Sequence, residues 1–150
     1  MDSYSLQIVG SVVYIAIPDQ FRNSVWSNHF GPIQRQLRSL PTDVESVVVN
    51  GENCNWIDPF PLLSLLISLA ELHTKKRICY LVPNVSDRDL TSEKKRVLEF
   101  LSKEGFFEVM LLYNINIIET GKYNEFQKGA DLGDYSKSKC RCKIYTKRRI

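Results

Sequence analysis

Residues 47–83 decide the fold of this chain; they read VVVNGENCNWIDPFPLLSLLISLAELHTKKRICYLVP. Val47-Val48-Val49 is a short β-branched run, typical of a central strand. The Leu-rich segment from about Phe60 to His73 predicts a helix, and Arg77 to Val82 predicts the next strand, which Pro83 ends. A strand, a helix and a strand joined by short connections predict an α/β domain with some parallel pairing.

The Leu-rich helix has very few polar residues. Ser64, Ser68 and Glu71 form one narrow polar stripe, and the other positions are mostly apolar. A helix that is apolar over most of its girth is expected to be covered on several sides. We therefore expect Leu66 to be enclosed.

The flanking sequence predicts further strands and helices around this unit. Two apolar runs, residues 5–9 and 12–17, are separated by Gly10-Ser11, which suits a type II′ turn and predicts a β-hairpin. Helical periodicity between Phe21 and Leu40 is interrupted at Gly31-Pro32, which leaves open two short helices or one broken helix.

The segment after Pro83 predicts one more helix and one more strand. Thr91 or Ser92 is suited to cap a helix that runs to Glu104, and Gly105 is suited to end it in a left-handed conformation. Residues 109–113 predict a last strand. The predicted fold is a mixed sheet with an N-terminal β-hairpin and helices packed on it.

Composition places the chain among soluble single domains. It has 150 residues, of which 43% are hydrophobic and 25% charged. The most apolar window, residues 62–72, is about half as long as a membrane-crossing helix, so we expect no membrane association. Met1-Asp2 lacks the basic start of a secretory signal, and the four cysteines are therefore expected to be reduced thiols in the cytoplasm.

Charge is distributed unevenly along the chain. Residues 121–150 carry nine Lys and Arg against three Asp and Glu, whereas residues 1–120 carry eleven against fourteen. We interpret residues 1–114 as the folded domain. Residues 115–150 are interpreted as a linker and a basic C-terminal segment, with a possible edge strand and a possible lead-in to a following domain.

Motifs for catalysis or cofactor binding are missing from the sequence. We find no nucleophile elbow, phosphate loop, dinucleotide fingerprint or paired carboxylates at a meaningful spacing. Cys140-Arg141-Cys142 lacks the two-residue gap typical of zinc sites. The sequence predicts a protein without catalytic residues, metal or cofactor.

Residues 47–83 also resemble a known family, the STAS domains of sulfate transporters and anti-sigma-factor antagonists. The likeness lies in the β-branched strand, the Asp-containing turn, the Leu-rich helix, the basic step at residues 75–77 and the strand that ends in Pro83. Gly105-Phe106-Phe107 is similar to the exit of the last helix in that family. The turn 56–60, with Asp58-Pro59-Phe60, resembles most the subgroup that is fused to histidine-kinase-type ATP-binding domains. The resemblance implies a regulatory signalling module whose partner is another protein or a downstream ATP-binding domain.

One position departs from the pattern of the anti-sigma-factor antagonists. Those proteins carry Asp-Ser-Ser-Gly and are phosphorylated on the Ser that follows Asp. Here Asp58 matches, but Pro59 occupies the position of the phosphoacceptor and has no hydroxyl group. The phosphoserine switch is therefore absent from this site.

Two binding surfaces follow from this reasoning. The resemblance implies a partner-binding surface at the start of the Leu-rich helix, formed by Asn55, Trp56, Asp58, Pro59 and Phe60. Asp58 and Pro59 are equally suited to a purely structural role as helix N-cap and first helical residue. The alternative function is nucleic-acid binding by the basic C-terminal segment, through Lys139, Arg141, Lys143, Lys147, Arg148 and Arg149.

Overall fold

The computed structural model describes residues 6–72, 74–86, 88 and 90–123. The strands are β1 (Leu6–Val9), β2 (Val12–Ala16), β3 (Gln20–Phe21), β4 (Ser46–Asn50), β5 (Trp56–Ile57), β6 (Arg77–Val82) and β7 (Ile115–Glu119). The helices are α1 (Asn23–Trp26), α2 (Phe30–Arg38), α3 (Pro59–Ala70), α4 (Ser92–Lys103) and α5 (Phe106–Leu112), and a 3₁₀ turn follows at Thr120–Lys122.

Five strands form a mixed sheet in the order β1-β2-β4-β6-β7. β1 and β2 are antiparallel, while β2, β4, β6 and β7 pair in parallel. The predicted α/β class, the N-terminal hairpin and the parallel pairing are confirmed. Gly10 has φ 61° in the hairpin turn, the left-handed conformation that glycine adopts without strain.

The central strands are buried on both faces, which explains their continuous apolar runs. On one face, Val47, Val49 and Tyr80 belong to a large core to which all five helices contribute buried side chains. On the other face, Val48 and Cys79 belong to a smaller cluster. A run such as Val47-Val48-Val49 therefore fills two cores with alternate side chains.

Several predicted boundaries are corrected by the structure. Two short helices do lie between Phe21 and Leu40, but the break falls at residues 27–29, and Pro32 lies in the first turn of α2, where its missing N–H is harmless. The α3 helix ends at Ala70, before the predicted end at His73.

The predicted strand at residues 109–113 is wrong. These residues lie in α5 and the turn that follows it, and Phe107 and Met110 are buried at helical spacing. Asn114, with φ 59°, redirects the chain into β7. Since β7 pairs with β6, the sheet continues past residue 114, where the sequence analysis ended the domain.

The two predicted ends of α4 are confirmed. The side-chain oxygen of Thr91 accepts a hydrogen bond from the backbone N–H of Lys94, as an N-cap residue does. Gly105 follows the helix with φ 81°. That left-handed residue separates α4 from α5.

Candidate functional site

The predicted partner-binding residues lie beyond the carboxyl ends of two parallel strands. The loop after β2 and the loop after β4 approach each other and pair through β3 and β5, with Phe21 opposite Ile57. The backbone N–H groups of Asn55 and Trp56 both donate to the carbonyl oxygen of Asp19, at 2.7 and 3.0 Å. The edge of a sheet where the parallel strands end is where α/β proteins most often bind ligands.

Asp58 links this loop to α1. Its Oδ2 accepts a hydrogen bond from the backbone N–H of Asn23 at 2.9 Å, and its Oδ1 accepts one from Nε1 of Trp56 at 2.9 Å. The hydrogen bond from Asn23 is the main cause that lowers the pKa of Asp58 below its ordinary value, and the bond from Trp56 adds to it. The carboxylate is thereby held in its ionised form.

This geometry corrects the role predicted for Asp58. The residue does occupy the N-cap position of α3, with extended backbone, and Pro59 is the first helical residue. Its side chain, however, makes no capping hydrogen bond to α3. It satisfies instead the first backbone N–H of α1, a donor without a partner inside its own helix.

Trp56 is held in place at the surface. Its indole N–H is bonded to Asp58, and the guanidinium carbon of Arg22 lies 5.0 Å from the centroid of its ring. That distance is typical of a cation–π contact. Arg22 also donates from Nη2 to Oε1 of Gln20 at 2.9 Å. A large aromatic side chain with a fixed orientation loses little conformational entropy when a partner covers it.

Exposed apolar side chains occur at Trp56, on β5, and at three positions of α3. Trp56, Phe60, Leu63 and Ile67 are 48%, 64%, 45% and 57% exposed, respectively. The spacing of Phe60, Leu63 and Ile67, three and four residues, places these three on one face of α3 over about 10 Å, and Trp56 precedes the helix. We call these four residues the apolar strip.

The exposure of the apolar strip contradicts the prediction that α3 is covered on several sides. The buried side of the helix packs into the large core through Leu62, Leu65, Leu66 and Leu69. Of the residues expected to form the polar stripe, Ser68 is buried, and Ser64 accepts a hydrogen bond from Nε1 of Trp26 at 2.6 Å. The polar side therefore faces α1, and an apolar side faces solvent.

Buried groups behind the loop after β4 fix its position. The Sγ of Cys54 lies 3.1 Å from the carbonyl oxygen of Trp56, and burial raises the pKa of this thiol to about 11. The hydroxyl of Tyr80 is buried and has no hydrogen-bond partner in the described part of the chain. A thiol with so high a pKa is a packing group rather than a nucleophile at neutral pH.

The structure brings four of the five predicted residues onto one surface. Trp56, Asp58, Pro59 and Phe60 are at least partly exposed at the start of α3, and Asn55 is half-buried behind them, with its backbone bonded to Asp19. Leu63 and Ile67 were not among the predicted site residues, although their helical spacing from Phe60 could have indicated them. Arg22 and Asn23 were not predicted either, and no local pattern indicates them, because they lie more than thirty positions from Trp56 and Asp58, which they contact.

Other predicted features lie outside the described residues. Lys139, Arg141, Lys143, Lys147, Arg148 and Arg149 of the alternative nucleic-acid surface fall there, as do Cys140 and Cys142. Among the residues that the structure does describe, no group of three His, Cys, Asp or Glu could hold a metal ion. No helix within those ranges has the length and hydropathy needed to cross a membrane.

Comparison of the chain with models of protein families, with curated proteins and with solved structures finds no match.

Proposed function

We propose that this protein is a cytoplasmic, non-catalytic regulatory module of the STAS type that acts by binding another protein through the apolar strip. The observation that carries the proposal is the apolar strip, in which Phe60, Leu63 and Ile67 are exposed on α3, opposite its buried side, and Trp56 is exposed on β5 just before the helix. Leaving apolar area in water costs about 25 cal/mol per Å². A contiguous patch of this kind is typical of a protein-binding surface.

The composition of the surface supports a protein partner. Interface centres are rich in aromatic and large apolar side chains and poor in charge. The strip supplies one Trp, one Phe, one Leu and one Ile, and α3 has no charged residue between Pro59 and Ala70. Arg22 and Asp58 add a polar rim at one end. An amphipathic helix of the partner, with apolar residues at spacings of three and four, is the complementary element.

The arrangement of elements is consistent with the family proposed. The segment that resembles a STAS domain forms β4, β5, α3 and β6 in chain order, with Asp58 and Pro59 at the start of α3. Since Pro59 lacks a hydroxyl, we propose that regulation at this site proceeds by occupancy and not by phosphorylation of that position.

The test compares the wild-type chain with a variant in which Phe60, Leu63 and Ile67 are all replaced by Ser. Both are used as bait, and proteins retained by the wild type alone are identified, purified and titrated against each bait by calorimetry. Loss of three central apolar contacts is expected to weaken binding at least tenfold. The matched control is Leu112→Ser, on α5, because Leu112 is 75% exposed and lies outside the strip.

The proposal predicts that the control binds the purified partner as tightly as wild type does. It is overturned if the triple variant binds equally well. It is also overturned if no purified candidate binds the wild-type chain. Circular dichroism of the triple variant checks that the fold is retained, as expected for exposed positions.

A further inference from the structure

The two faces of the five-stranded sheet are covered in different ways. The strands β2, β4, β6 and β7 are parallel and follow one another across the sheet in chain order. Crossover connections between parallel strands are almost always right-handed, so successive crossovers in one direction place their helices on the same face. The helices α1 to α5 accordingly all contribute to the large core on that face. We call the opposite face of the sheet the second face.

Side chains of the second face are as deeply buried as those of the large core. Val48, Cys79 and Ile118 are 0% exposed, and Leu81 is 5% exposed. Side chains stand roughly perpendicular to a sheet, so neighbouring strands shield their sides but not their tips. Ile118 lies on β7, an edge strand with a neighbour on one side only, and is buried nonetheless. The second face therefore has a cover of its own, as parallel sheets generally do.

The chain turns back onto the second face after β7. Among the described residues, the hydrophobic side chains that pack against the second-face cluster are Val12 and Tyr14, which belong to the sheet itself, and Tyr123. The hydroxyl oxygen of Tyr123 lies 3.0 Å from that of Tyr14, and the two rings meet edge to face with their centroids 6.4 Å apart. Because β6 and β4 lie between β7 and β2, this contact reaches across the second face.

The cover extends over only part of the second face. Val9 of β1 stands opposite Val12 and therefore lies on the same face, yet it is 60% exposed. Tyr14 of β2 is half-buried, and the second-face residues of β4, β6 and β7 are buried. Burial thus increases toward β7, the strand from which the chain turns back.

Residues 124–150 have the length and the composition that such a cover requires. The chain continues for 27 residues after Tyr123. About six extended residues span the width of a five-stranded sheet, at about 4.8 Å per strand and 3.3 Å per residue. Phe126, Leu132 and Ile144 are large apolar residues of this segment, and apolar residues alternate with charged ones over residues 140–144. Alternation of this kind is typical of a segment with one side buried and the other in water.

We infer that residues 124–150 occupy the second face of the sheet, with apolar side chains against Val48, Cys79 and Ile118 and with Lys and Arg side chains in solvent. The inference goes beyond the proposed function and does not depend on it, because α3 lies on the opposite face. It makes the basic segment an integral layer of the domain instead of a linker or a free arm that binds nucleic acid.

Photo-cross-linking of the full chain tests which segment covers the second face. The photoreactive residue p-benzoylphenylalanine is placed at position 14, in place of Tyr14, and in a control at position 60, in place of Phe60, which is exposed on α3. After illumination of a dilute sample, mass spectrometry identifies the linked peptides. The probe at position 14 is expected to link to residues 124–150, and the probe at position 60 is not. A probe at position 14 that links only to other parts of the chain, or to a second copy, overturns the inference.

The two buried free cysteines give a second test, because Cys79 lies on the second face and Cys54 in the large core. Leu132→Ser combined with Ile144→Ser is expected to loosen the cover and to raise the rate of iodoacetamide labelling of Cys79, relative to that of Cys54, by about tenfold or more. Lys139→Ser, in the same segment, is the matched control and is expected to leave this ratio unchanged. Mass spectrometry of the two peptides measures both rates. An unchanged ratio in the double variant overturns the inference.

Discussion

The hydroxyl group of Tyr80 lies directly against the backbone of Gly51. A Cβ atom added to Gly51 would stand 2.6 Å from the Tyr80 hydroxyl oxygen and 2.8 Å from the ring carbon that bears it. Gly51 begins the loop that carries the candidate site, and its backbone N–H donates to the carbonyl oxygen of Leu81 at 3.0 Å. The close approach of loop and ring thus requires a residue without a side chain.

We predict that Tyr80→Phe raises the free energy of unfolding by about 1–2 kcal/mol, because it removes a buried hydroxyl that has no partner among the described residues. Urea unfolding followed by circular dichroism measures the change. Tyr14→Phe is the matched control. The hydroxyl of Tyr14 lies 3.0 Å from that of Tyr123, so its removal is expected to be destabilising. A Tyr80→Phe variant that is less stable than wild type would contradict the prediction.

Gly51→Ala is expected to destabilise the protein by about 1–3 kcal/mol, since the new methyl group overlaps the Tyr80 side chain. The loss should be smaller when Tyr80→Phe is also present, because the closest atom is then gone. A double-mutant cycle measures this coupling. Equal losses in the two backgrounds would mean that the loop moves away from the ring.

Leu66→Ala is expected to destabilise the fold by about 2–5 kcal/mol, because Leu66 is 2% exposed and its truncation leaves a cavity. Leu63→Ala, three positions earlier and 45% exposed, is the control on the same helix and should cost much less. Chemical denaturation of the two variants makes the comparison. Equal costs would show that α3 does not bury the side assigned to it.

The carboxylate of Asp58 is expected to make the stability of the protein depend on pH in the acid range. Its pKa is lower in the folded state, so its contribution is present above about pH 4, the unfolded value, and is lost as the pH falls through the folded value. Asp58→Ala should therefore be less stable than wild type at neutral pH, with a difference that shrinks as the pH falls below the unfolded value. Trp56→Phe removes one of the two donors and should have a smaller effect. The midpoint of urea unfolding at each pH measures the difference in stability between each variant and wild type. A difference for Asp58→Ala that does not change with pH would contradict the role given to the Asp58 carboxylate.

Incubation with a protein kinase that acts on anti-sigma-factor antagonists is expected to add no phosphate between Asn55 and Ser64. Pro59 has no hydroxyl, and the hydroxyl of Ser64 is engaged by Trp26 and by the carbonyl oxygen of Pro61, at 2.6 and 2.8 Å. Mass spectrometry of peptides covering this range is the measurement. Phosphate on Ser64 would show that the helix start opens to the kinase.

Local sequence patterns did not predict the secondary structure of residues 106–119 correctly. Residues 109–113 have the composition of a strand, yet they form helix and turn, because Phe107 and Met110 are buried together at helical spacing. The strand begins only after Asn114, whose left-handed backbone ends the turn. A short apolar run is compatible with both helical and strand periodicity, so contacts with the rest of the fold decide which of the two forms.

In the candidate site, too, features that depend on neighbouring residues could be predicted, whereas contacts between distant residues could not. Asp58 and Pro59 at the start of a helix, the strand at Val47-Val48-Val49 and the left-handed Gly105 could be predicted, because each depends on neighbours in the chain. The hydrogen bond from Asn23 to Asp58 joins residues 35 positions apart, and no local pattern encodes it.

The sequence by itself determined that this protein is an α/β domain with a hairpin, parallel strands and a Leu-rich helix, because periodicity, turn residues and caps act over a few positions. Only the tertiary structure decided which side of that helix faces water. A helix that is apolar on nearly every side gives no amphipathic signal. The sheet, α1 and α2 cover the side that contains Leu66 and leave Phe60, Leu63 and Ile67 in solvent.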